Sequence, residues 1–379
     1  MIRHMAGAPA ASHFSILHIG KFYPPHAGGM ETHLRDLATR QAQTAKVKVI
    51  VSNSGWRSDQ SVTEGVTVMR VGRVAAVSSM PVCPGLPAAI ARSPANLVHI
   101  HTPNPGAALS FLMSRHPAKL IITHHADTMG RRFLRKASDP IVFRLMERAS
   151  RICVTSRRYL ESSPELADFR GKCSIVPLGI DPQFAAAADP ETLGKLRVQF
   201  PEGFILAVGR LVPYKGFDIL IRAMKRLQMK LLLIGIGPMR DDLLRLATSE
   251  GVGDKVIMPG RVDDTRPYFA AASVFVLPSV TRAEAFGLVQ LEAMAAGVPV
   301  VNCDIDSGVP EVSVNGETGI TVPPGDPAAL RDAIQSLLDE RALRERLGTE
   351  AKIRVNAEYS ADLMCLRTMR IYEEVLQNS

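Results

Sequence analysis

The sequence lacks any apolar run approaching the roughly 18 to 20 residues that a membrane-spanning helix needs, although 46% of its 379 residues are hydrophobic. Its N-terminal stretch, MIRHMAGAPAASHF, has no apolar core of the secretory type, so we predict no signal peptide and a loose N-terminal tail. Its five cysteines include no C-x-x-C pair. Because neither a disulfide framework nor a zinc site is indicated, we predict free thiols and a cytoplasmic protein.

Acidic residues are outnumbered, and the formal net charge is +8. Much of the excess lies in 114–158, which includes Arg131, Arg132, Arg135 and Lys136. Such a segment suits anionic lipid headgroups or a pyrophosphate-linked substrate, although a solvated helical face also explains the charge. No regular series of aromatic residues interleaves with these charges, so we predict no nucleic-acid partner. Peripheral docking on an anionic membrane surface, at the inner face of the plasma membrane, stays open.

Short apolar runs alternate with amphipathic stretches along the chain. Strands are predicted at 15–19, 47–51, 97–101, 119–123 and 151–154, and again at 203–208, 230–234, 255–258, 273–277 and 298–301. Helices are predicted at 29–41, 216–229 and 328–339. Short, fully apolar strands that alternate with helices indicate parallel sheets covered on both faces. The sequence therefore predicts two doubly wound, Rossmann-like α/β domains.

The predicted domain boundary lies in 177–202, which is rich in proline, alanine and charge. We expect an N-terminal, acceptor-side domain over 1–180 and a C-terminal, donor domain over 181–361, with a final helix at about 362–379 packing back on the first domain. Open α/β sheets bind ligands at the carboxyl ends of their strands. The two domains are therefore expected to face each other across one cleft.

Two carboxylates, Glu284 and Glu292, lie eight positions apart around a Phe-Gly dipeptide, after the apolar run 273–277. This order predicts a strand, a loop and a helix, with one acid before the helix and one a little over a turn inside it. Unpaired N–H groups at a helix start attract anions, so carboxylates beside them are expected to bind hydroxyl groups instead. A nucleotide sugar, which carries a diphosphate and hydroxylated rings, fits this arrangement.

Two cations follow the predicted strand 203–208. Arg210 and Lys215 flank a Pro-Tyr turn in the segment GRLVPYKG. At the carboxyl end of a strand they could neutralise a diphosphate and stabilise it as it leaves. The alternative is a loop with two surface cations. The acidic pair farther along the chain favours the diphosphate.

Three other motifs carry weaker signals. Gly28 and Gly29 lie at a strand-to-helix turn, where glycine either lets the backbone approach a phosphate or simply makes the turn. The loop GIGP at 235–238 lacks the third glycine of a dinucleotide fingerprint, so no nicotinamide cofactor is predicted. Asp304 and Asp306 could bind a metal ion, but two acids in a loop are more often turn formers.

The predicted strand 119–123 is followed by His124, His125 and Asp127. A histidine at the carboxyl edge of a sheet can touch a substrate. Adjacent histidines on an extended backbone point apart, so at most one of the pair is expected to do so. The alternative is that both decorate the surface.

Together these motifs resemble those of the retaining glycosyltransferases of family 4, which have the two Rossmann-like domains of the GT-B fold. The resemblance covers nearly the whole chain. It rests on GGMETH at 28–33, THH at 123–125, VGRLVPYKG at 208–216, GIGP at 235–238, EAFGLVQLEAMAAGVPVV at 284–301 and TGITVPPGD at 318–326.

The resemblance implies a role for each candidate residue. It implies that the side chains of Arg210 and Lys215 and the backbone N–H groups of Leu288 and Val289 bind the donor diphosphate. By the same resemblance, Gly28 and Gly29 complete this phosphate-binding site from the first domain. It implies that the sugar is held by Glu284 and the backbone at Phe286 and Gly287, and the ribose hydroxyls by Glu292. It places His125 beside the sugar, so that His125, Glu284, Arg210 and Lys215 form the implied catalytic set.

The implied reaction is transfer of a hexose from a GDP- or UDP-sugar to a hydroxyl, with retained anomeric configuration and without a metal or other cofactor. The segment 301–319 is similar to a bacterial subgroup that transfers mannose or rhamnose from GDP-sugars during surface-polysaccharide assembly. The expected acceptor is a glycan, free or linked to polyprenyl diphosphate. Two alternatives remain: a nucleotide-sugar epimerase or phosphorylase of similar architecture, and a non-catalytic nucleotide-sugar binding protein.

Overall fold

The computed structural model describes residues 14–26, 28–77, 80–128 and 132–378, with the backbone alone at 77 and 132–138. These residues form two compact units. The first unit consists of the described residues within Met1–Val154, Pro164–Val176 and Met364–Ser379. The second unit consists of Thr155–Ser163 and Pro177–Leu363. The N-terminal tail and Arg131, both singled out from the sequence, lie outside the described residues, as do the side chains of Arg132, Arg135 and Lys136.

The first unit is built on one sheet. Its strands are β1 (Ser15–Ile19), β2 (Lys46–Ser52), β3 (Asp59–Thr63), β4 (Val66–Val71), β7 (Leu97–Thr102), β8 (Lys119–His124), β9 (Arg151–Val154) and β10 (Cys173–Ile175). They follow the order β10-β9-β8-β7-β1-β2-β4-β3. Every described pairing in this sheet is parallel except β3 with β4. The expectation of a wholly parallel sheet is therefore wrong at this edge, where the half-polar β3 is exposed.

Helices and one small strand pair complete the first unit. The helices are α1 (Gly29–Gln41), α2 (Leu86–Ala91), α3 (Pro105–Ser114), α4 (Arg132–Arg148) and most of α14 (Ala361–Gln377). The strand pair, β5 (Ala75–Val77) and β6 (Met80–Val82), is antiparallel. In the part of the chain that the structure describes, every helix is too short or too polar to span a bilayer.

The second unit has a parallel sheet of six strands. These are β11 (Ile205–Val208), β12 (Leu231–Ile234), β13 (Val256–Gly260), β14 (Val274–Leu277), β15 (Val300–Cys303) and β16 (Gly319–Val322), in the order β13-β12-β11-β14-β15-β16. Its helices are α5 (Arg157–Ser162), α6 (Pro190–Gln199), α7 (Phe217–Ala223), α8 (Arg240–Ser249), α9 (Arg266–Ala271), α10 (Leu288–Ala295), α11 (Val309–Val312), α12 (Pro327–Asp339) and α13 (Arg341–Glu358). The short apolar strands are buried on both faces, as the pattern predicts.

The unit boundaries differ from the predicted boundary at residue 180. Residues Thr155–Ser163 belong to the second unit. The cause is polar contact: the backbone N–H of Arg157 donates to the Glu311 carboxylate at 3.2 Å. The Arg158 guanidinium also donates to Asp304 at 2.6 Å and to Asp306 at 3.2 Å. Such pairings join residues distant in sequence and leave no mark in local composition.

Two glycines let the loops of the second unit pack backbone on backbone. Gly216 has φ +66°, and a Cβ there would lie 2.1 Å from the Pro278 carbonyl oxygen. Gly235 has φ +151°, and its Cβ would lie 1.8 Å from the Gly209 carbonyl oxygen. The first glycine of the GIGP loop therefore allows close packing against the loop after β11. This packing explains why part of a dinucleotide-binding motif is present without invoking a bound cofactor.

Replacing Gly216 tests this packing. Gly216→Ala should lower the free energy of unfolding by roughly 1–3 kcal/mol or more, because alanine is strained at positive φ and meets the Pro278 carbonyl. Gly194→Ala is the control: it lies on the exposed part of α6 with nothing within 4 Å of its Cβ. The Gly194→Ala variant should have a free energy of unfolding roughly 0.5–1 kcal/mol higher than that of the wild type. Urea unfolding followed by circular dichroism measures both, and equal shifts would contradict the account.

Candidate functional site

The loops that follow β11 and β14 meet at one edge of the second sheet. The two strands are adjacent and parallel, so both loops leave the sheet at the same edge. The Val280 N–H donates to the Tyr214 carbonyl at 2.9 Å. The Lys215 ammonium lies 2.5 Å from the Glu284 carboxylate. Two residues that the sequence placed in one site are thus joined in an ion pair.

This ion pair is shielded from water. The side chains of Lys215 and Glu284 are 10% and 12% exposed. The Ser279 hydroxyl donates to the same carboxylate at 3.2 Å. Burial raises the pKa of Tyr214, Glu284 raises it further, and Lys215 and Arg210 oppose the rise. The lysine assigned to the diphosphate therefore has its charge compensated by the carboxylate assigned to the sugar.

Arg210 supplies positive charge that is not compensated in this way. It is exposed, and its guanidinium makes no hydrogen bond or ion pair with the described residues. Its charge acts on Tyr214, in the loop that also carries Lys215. A free guanidinium at the carboxyl edge of a parallel sheet is available to an anionic ligand.

Helix α10 begins at this edge with uncapped amides. Gly287 has φ +72°, and a Cβ there would lie 2.8 Å from Leu277. No side chain caps the helix. The N–H groups of Leu288 and Val289 have no hydrogen-bond partner among the described residues. Phe286, which precedes the turn, is buried and packs 6.1 Å from Tyr359 between ring centroids. The helix therefore presents donors suited to an anion.

A buried amide network that the sequence did not reveal holds this helix start. The Gln290 side-chain amide donates to the Phe286 and Val309 carbonyls at 3.3 Å each. Asn302 on β15 donates to the Gln290 amide oxygen at 2.9 Å and accepts from Thr321 at 2.7 Å. Because both amides are fully buried, these bonds fix the helix relative to the sheet.

Glu292 lies one turn inside α10 and has no charged partner. Its carboxylate makes no hydrogen bond or ion pair with the described residues. Burial alone raises the pKa of Glu292 to about 8. A carboxyl group desolvated without compensation is costly to the fold, which is typical of a group kept for a ligand.

In the first unit, Gly28 and Gly29 begin α1. Gly28 is extended, at φ 171°. A Cβ there would lie 2.2 Å from a Glu31 carboxylate oxygen, whereas one on Gly29 would meet nothing within 4 Å. Burial raises the pKa of Glu31, which favours the neutral form of this carboxyl group. The contact at 28 is with the movable end of a side chain, so the structure gives no spatial requirement for glycine at either position.

The side chains of His124 and His125 contact different groups, as expected for adjacent residues on an extended backbone. Nε2 of His124 lies 3.3 Å from Asp127, and its Nδ1 lies 3.1 Å from the Thr102 hydroxyl. Nε2 of His125 lies 3.2 Å from Nδ1 of His101. Both rings are buried, so the alternative that they decorate the surface is wrong.

Four further buried histidines lie around His125 and were missed from the sequence. They are His18 on β1, His33 on α1, and His99 and His101 on β7. Burial and neighbouring histidines lower the pKa of His33 to about 3, and burial lowers that of His18 to about 4. The rings are therefore neutral at neutral pH. Histidine at alternate positions of an otherwise apolar strand was the available signal.

Among the described residues, three groups of side chains have atoms close enough together to hold a metal ion. They are His18 with His99 and His101, His33 with His101 and His125, and His124 with Asp127 and Glu165. Most of these nitrogens are already engaged with one another or with hydroxyl and amide groups. Asp304 and Asp306, the acids weighed for metal binding, both bind Arg158.

Two family models match the chain. The model described as "Glycosyl transferases group 1" matches residues 191–354, and "Glycosyltransferase Family 4" matches residues 27–184. The second match contains Gly28, Gly29 and His125. The first contains Arg210, Lys215, Glu284 and Glu292.

Sequence relatives agree with these models. The D-rhamnosyltransferase WbpZ of Pseudomonas aeruginosa is 30% identical, over 70% of this chain and 70% of that protein. A GDP-mannose-dependent monoacylated alpha-(1-6)-phosphatidylinositol monomannoside mannosyltransferase of Corynebacterium glutamicum is 28% identical, over 93% of this chain and 96% of that one.

A solved structure bears on the fold. The sucrose-phosphate synthase of Thermosynechococcus elongatus matches with a TM-score of 0.81, over 97% of this chain and 100% of that one, at 23% identity. At this identity the likeness concerns the fold alone. It confirms the predicted GT-B class, with its two Rossmann-like units.

The pKa of Glu292 predicts an unusual pH dependence. An unfolded glutamate ionises near its usual pKa of 4.5, whereas folded Glu292 holds its proton to about pH 8. The folded state thus binds one more proton in this window, and its stability falls as pH rises. Glu292→Gln cannot ionise, so its stability relative to wild type should increase from pH 5 to pH 8, by at most about 1.4 kcal/mol per pH unit.

Urea unfolding at the two pH values measures this difference. Glu317→Gln, which removes an exposed carboxylate from the same unit, is the matched control and should show no such trend. A stability difference for Glu292→Gln that is flat with pH would mean that the carboxyl is not desolvated.

Proposed function

Because the chain belongs to the group 1 glycosyltransferases of family 4, we propose that it transfers a hexose from a nucleotide diphosphate sugar to a hydroxyl group, with retention of anomeric configuration. The observation that carries the proposal is Glu292, whose carboxyl group has no hydrogen-bond or ion-pair partner among the described residues and lies one turn inside a helix whose first amides are likewise unpaired there. A ligand with ribose hydroxyls and a diphosphate satisfies both features together.

The cations and the helix start supply the proposed leaving-group assistance. As the bond from the anomeric carbon to the diphosphate oxygen breaks, negative charge grows on the diphosphate. Arg210 and the amides of Leu288 and Val289 are placed to receive that charge. If the sugar hydroxyls form hydrogen bonds to Glu284 and separate it from Lys215, the lysine ammonium also becomes available to the diphosphate. The ion pair then couples sugar binding to diphosphate binding. These groups make a metal ion unnecessary in the proposed reaction.

Retention follows from attack on the face that the diphosphate leaves. The acceptor oxygen bonds to the anomeric carbon there, and its proton passes to an oxygen of the departing diphosphate. No enzymic nucleophile enters the scheme. We keep His125, in the first unit, as a group that contacts the transferred sugar through a hydrogen bond, and Gly28 and Gly29 as part of the phosphate cradle.

The favoured donors are GDP-sugars that carry mannose or rhamnose. The relatives described above are a rhamnosyltransferase and a GDP-mannose-dependent mannosyltransferase, and the name of the second includes a phosphatidylinositol monomannoside. A UDP-sugar remains the alternative donor. The proposed acceptor is a glycan, free or carried on a lipid diphosphate.

Peripheral docking on an anionic membrane is the proposed means of reaching such an acceptor. Two of the exposed apolar side chains, Met113 on α3 and Phe143 on α4, are 61% and 45% exposed. Arg115, Arg144 and Arg148 line a groove of about 620 Å³ between these helices. Apolar and basic groups on the same helices suit a surface of anionic headgroups.

A donor screen tests the proposed function. Thermal shift, hydrolysis and transfer would be measured for GDP- and UDP-sugars, with excess EDTA and with added magnesium. Transfer from at least one donor should persist in EDTA. Measured above pH 8, where Glu292 is ionised, Glu292→Gln should raise the nucleotide dissociation constant tenfold or more, since a charged hydrogen bond contributes roughly 1.5–3 kcal/mol. Glu317→Gln is again the control.

The results separate the alternatives. Binding without hydrolysis or transfer would indicate a nucleotide-sugar binding protein, and a converted free nucleotide sugar would indicate an epimerase. Loss of activity in EDTA with recovery in magnesium would overturn the metal-free reaction. Unchanged nucleotide affinity in Glu292→Gln would remove Glu292 from the site.

Vesicle sedimentation tests the docking proposal. Each cation near an anionic surface contributes about 1 kcal/mol, so neutralising four should abolish binding to anionic vesicles at low salt. The four positions are Arg131, Arg132, Arg135 and Lys136. The matched control neutralises four basic residues of the second unit, Lys195, Arg197, Arg245 and Arg341. Equal sedimentation of the two variants, or binding to neutral vesicles, would contradict the proposal.

A further inference from the structure

Four buried side chains of the first unit form a single file that ends at His125. Nε2 of His125 lies 3.2 Å from Nδ1 of His101. Nε2 of His101 lies 3.1 Å from Nδ1 of His18. Nε2 of His18 lies 2.7 Å from the amide oxygen of Gln41, the last residue of α1. Each ring thus contacts the next through one nitrogen, and the file crosses from β8 through β7 and β1 to α1.

The rings in this file are neutral. Burial lowers the pKa of His18 to about 4. Burial and neighbouring histidines lower the pKa of His101 and of His125 well below the usual range. A neutral imidazole carries one N–H and one lone pair, so each contact in the file has one donor and one acceptor.

The amide of Gln41 sets the direction of every hydrogen bond in the file. Its oxygen only accepts, so Nε2–H of His18 donates to it. Nδ1 of His18 is then the lone pair, and it accepts from Nε2–H of His101. Nδ1 of His101 accepts in turn from Nε2–H of His125. His125 is left with its lone pair on Nδ1, which has no hydrogen-bond partner among the described residues.

A second set of contacts braces the file. The Tyr372 hydroxyl on α14 lies 2.5 Å from Nδ1 of His99, and Nε2 of His99 lies 2.7 Å from the Thr123 hydroxyl. The ring of His99 stacks on that of His101, with centroids 4.6 Å apart. His101 therefore cannot rotate without disturbing α14 or β8.

We propose that Gln41, acting through His18 and His101, is a positioning residue that holds His125 in its Nε2–H tautomer. Nδ1 of His125 is thereby kept as a hydrogen-bond acceptor, able to accept from a hydroxyl of the transferred sugar. The sugar contact rests on the proposed function, whereas the tautomer rests on the file alone. No proton changes place in this arrangement.

Changing Gln41 to glutamate should reverse the file. A carboxylate beside His18 stabilises its imidazolium, so the file takes up one proton. His18 then donates from Nδ1 to His101, His101 donates from Nδ1 to His125, and His125 carries its proton on Nδ1. Gln41→Met instead removes the amide oxygen that accepts from His18, so the direction of the hydrogen bonds along the file is no longer fixed. Gln43→Glu makes the same charge change at an exposed position two residues later and is the control.

Two measurements report on the tautomer. Nitrogen-15 spectra of histidine-labelled protein, with the His125 signals assigned by their loss in His125→Gln, should show Nε2–H in wild type and in Gln43→Glu. They should show Nδ1–H in Gln41→Glu. In transfer assays kcat should fall about tenfold or more in Gln41→Glu, and the acid limb of the pH–rate profile should move to higher pH.

The pH profile must be interpreted with every titratable group that faces the file. Those groups are His33 on α1, His99 on β7, His124 with its partner Asp127, Cys153 on β9 and Tyr372 on α14. None of them is altered in the Gln41 variants. Tyr372 also interacts with Gln41, so a shift found in Gln41→Glu and absent from Gln43→Glu belongs to the file together with this tyrosine.

The wild-type spectrum decides the proposal even if a variant fails to fold. Nδ1–H on His125 in wild type would overturn it, because the Gln41 amide would then point the other way. A folded Gln41→Glu variant with an unchanged His125 tautomer would also overturn it. Failure of wild type to transfer any sugar, with Nε2–H on His125, would refute the proposed function and leave the tautomer assignment standing.

Discussion

The constraint on which the candidate site depends is the pairing of strands that are not consecutive in sequence. In the second sheet β11 lies beside β14, and in the first β1 lies beside β7. At both places the strand order reverses, so the loops on either side diverge and leave a crevice at the carboxyl edge. Lys215 and Glu284 meet because β11 and β14 are neighbours. The histidine file forms because β1 and β7 are.

The two units fill these positions with different chemistry. The second unit uses charge: an ion pair, together with a guanidinium and a carboxyl group that have no partner in the part of the chain that the structure describes. The first unit uses neutral rings that satisfy one another. Charge suits a site that must hold a diphosphate, because a fixed cation acts at the moment the leaving group gains charge. Neutral rings suit a site that must orient a hydroxyl, because their hydrogen bonds have direction without net charge.

The strands could be predicted from the sequence because they leave local patterns, and the motifs that carry Lys215 and Glu284 could be recognised for the same reason, although their role as site residues stays a prediction. All ten predicted strands are present within two residues of their expected bounds. The support of the site could not be predicted in this way. Asn302 holds Gln290 from another strand, Arg158 brings Thr155–Ser163 to the second unit, and His18 meets His101 across the sheet. Each of these contacts joins residues far apart in sequence, so neither periodicity nor spacing records it.

The buried groups of the two units oppose each other in their response to pH. The histidines have folded pKa values below that of an unfolded histidine, near 6.5, so they stabilise the fold above this pH and lose that contribution as pH falls. Glu292 has a folded pKa above that of an unfolded glutamate, so it weakens the fold as pH rises toward 8. Below pH 6.5 the change in stability with pH due to several histidines exceeds the opposite change due to the one carboxyl group. Above pH 6.5, of these groups, only the carboxyl group still titrates. Together these groups favour the folded state most near neutrality, where the histidine file is uncharged and Glu292 lies close enough to its pKa to release its proton to solvent when hydroxyl donors bind it.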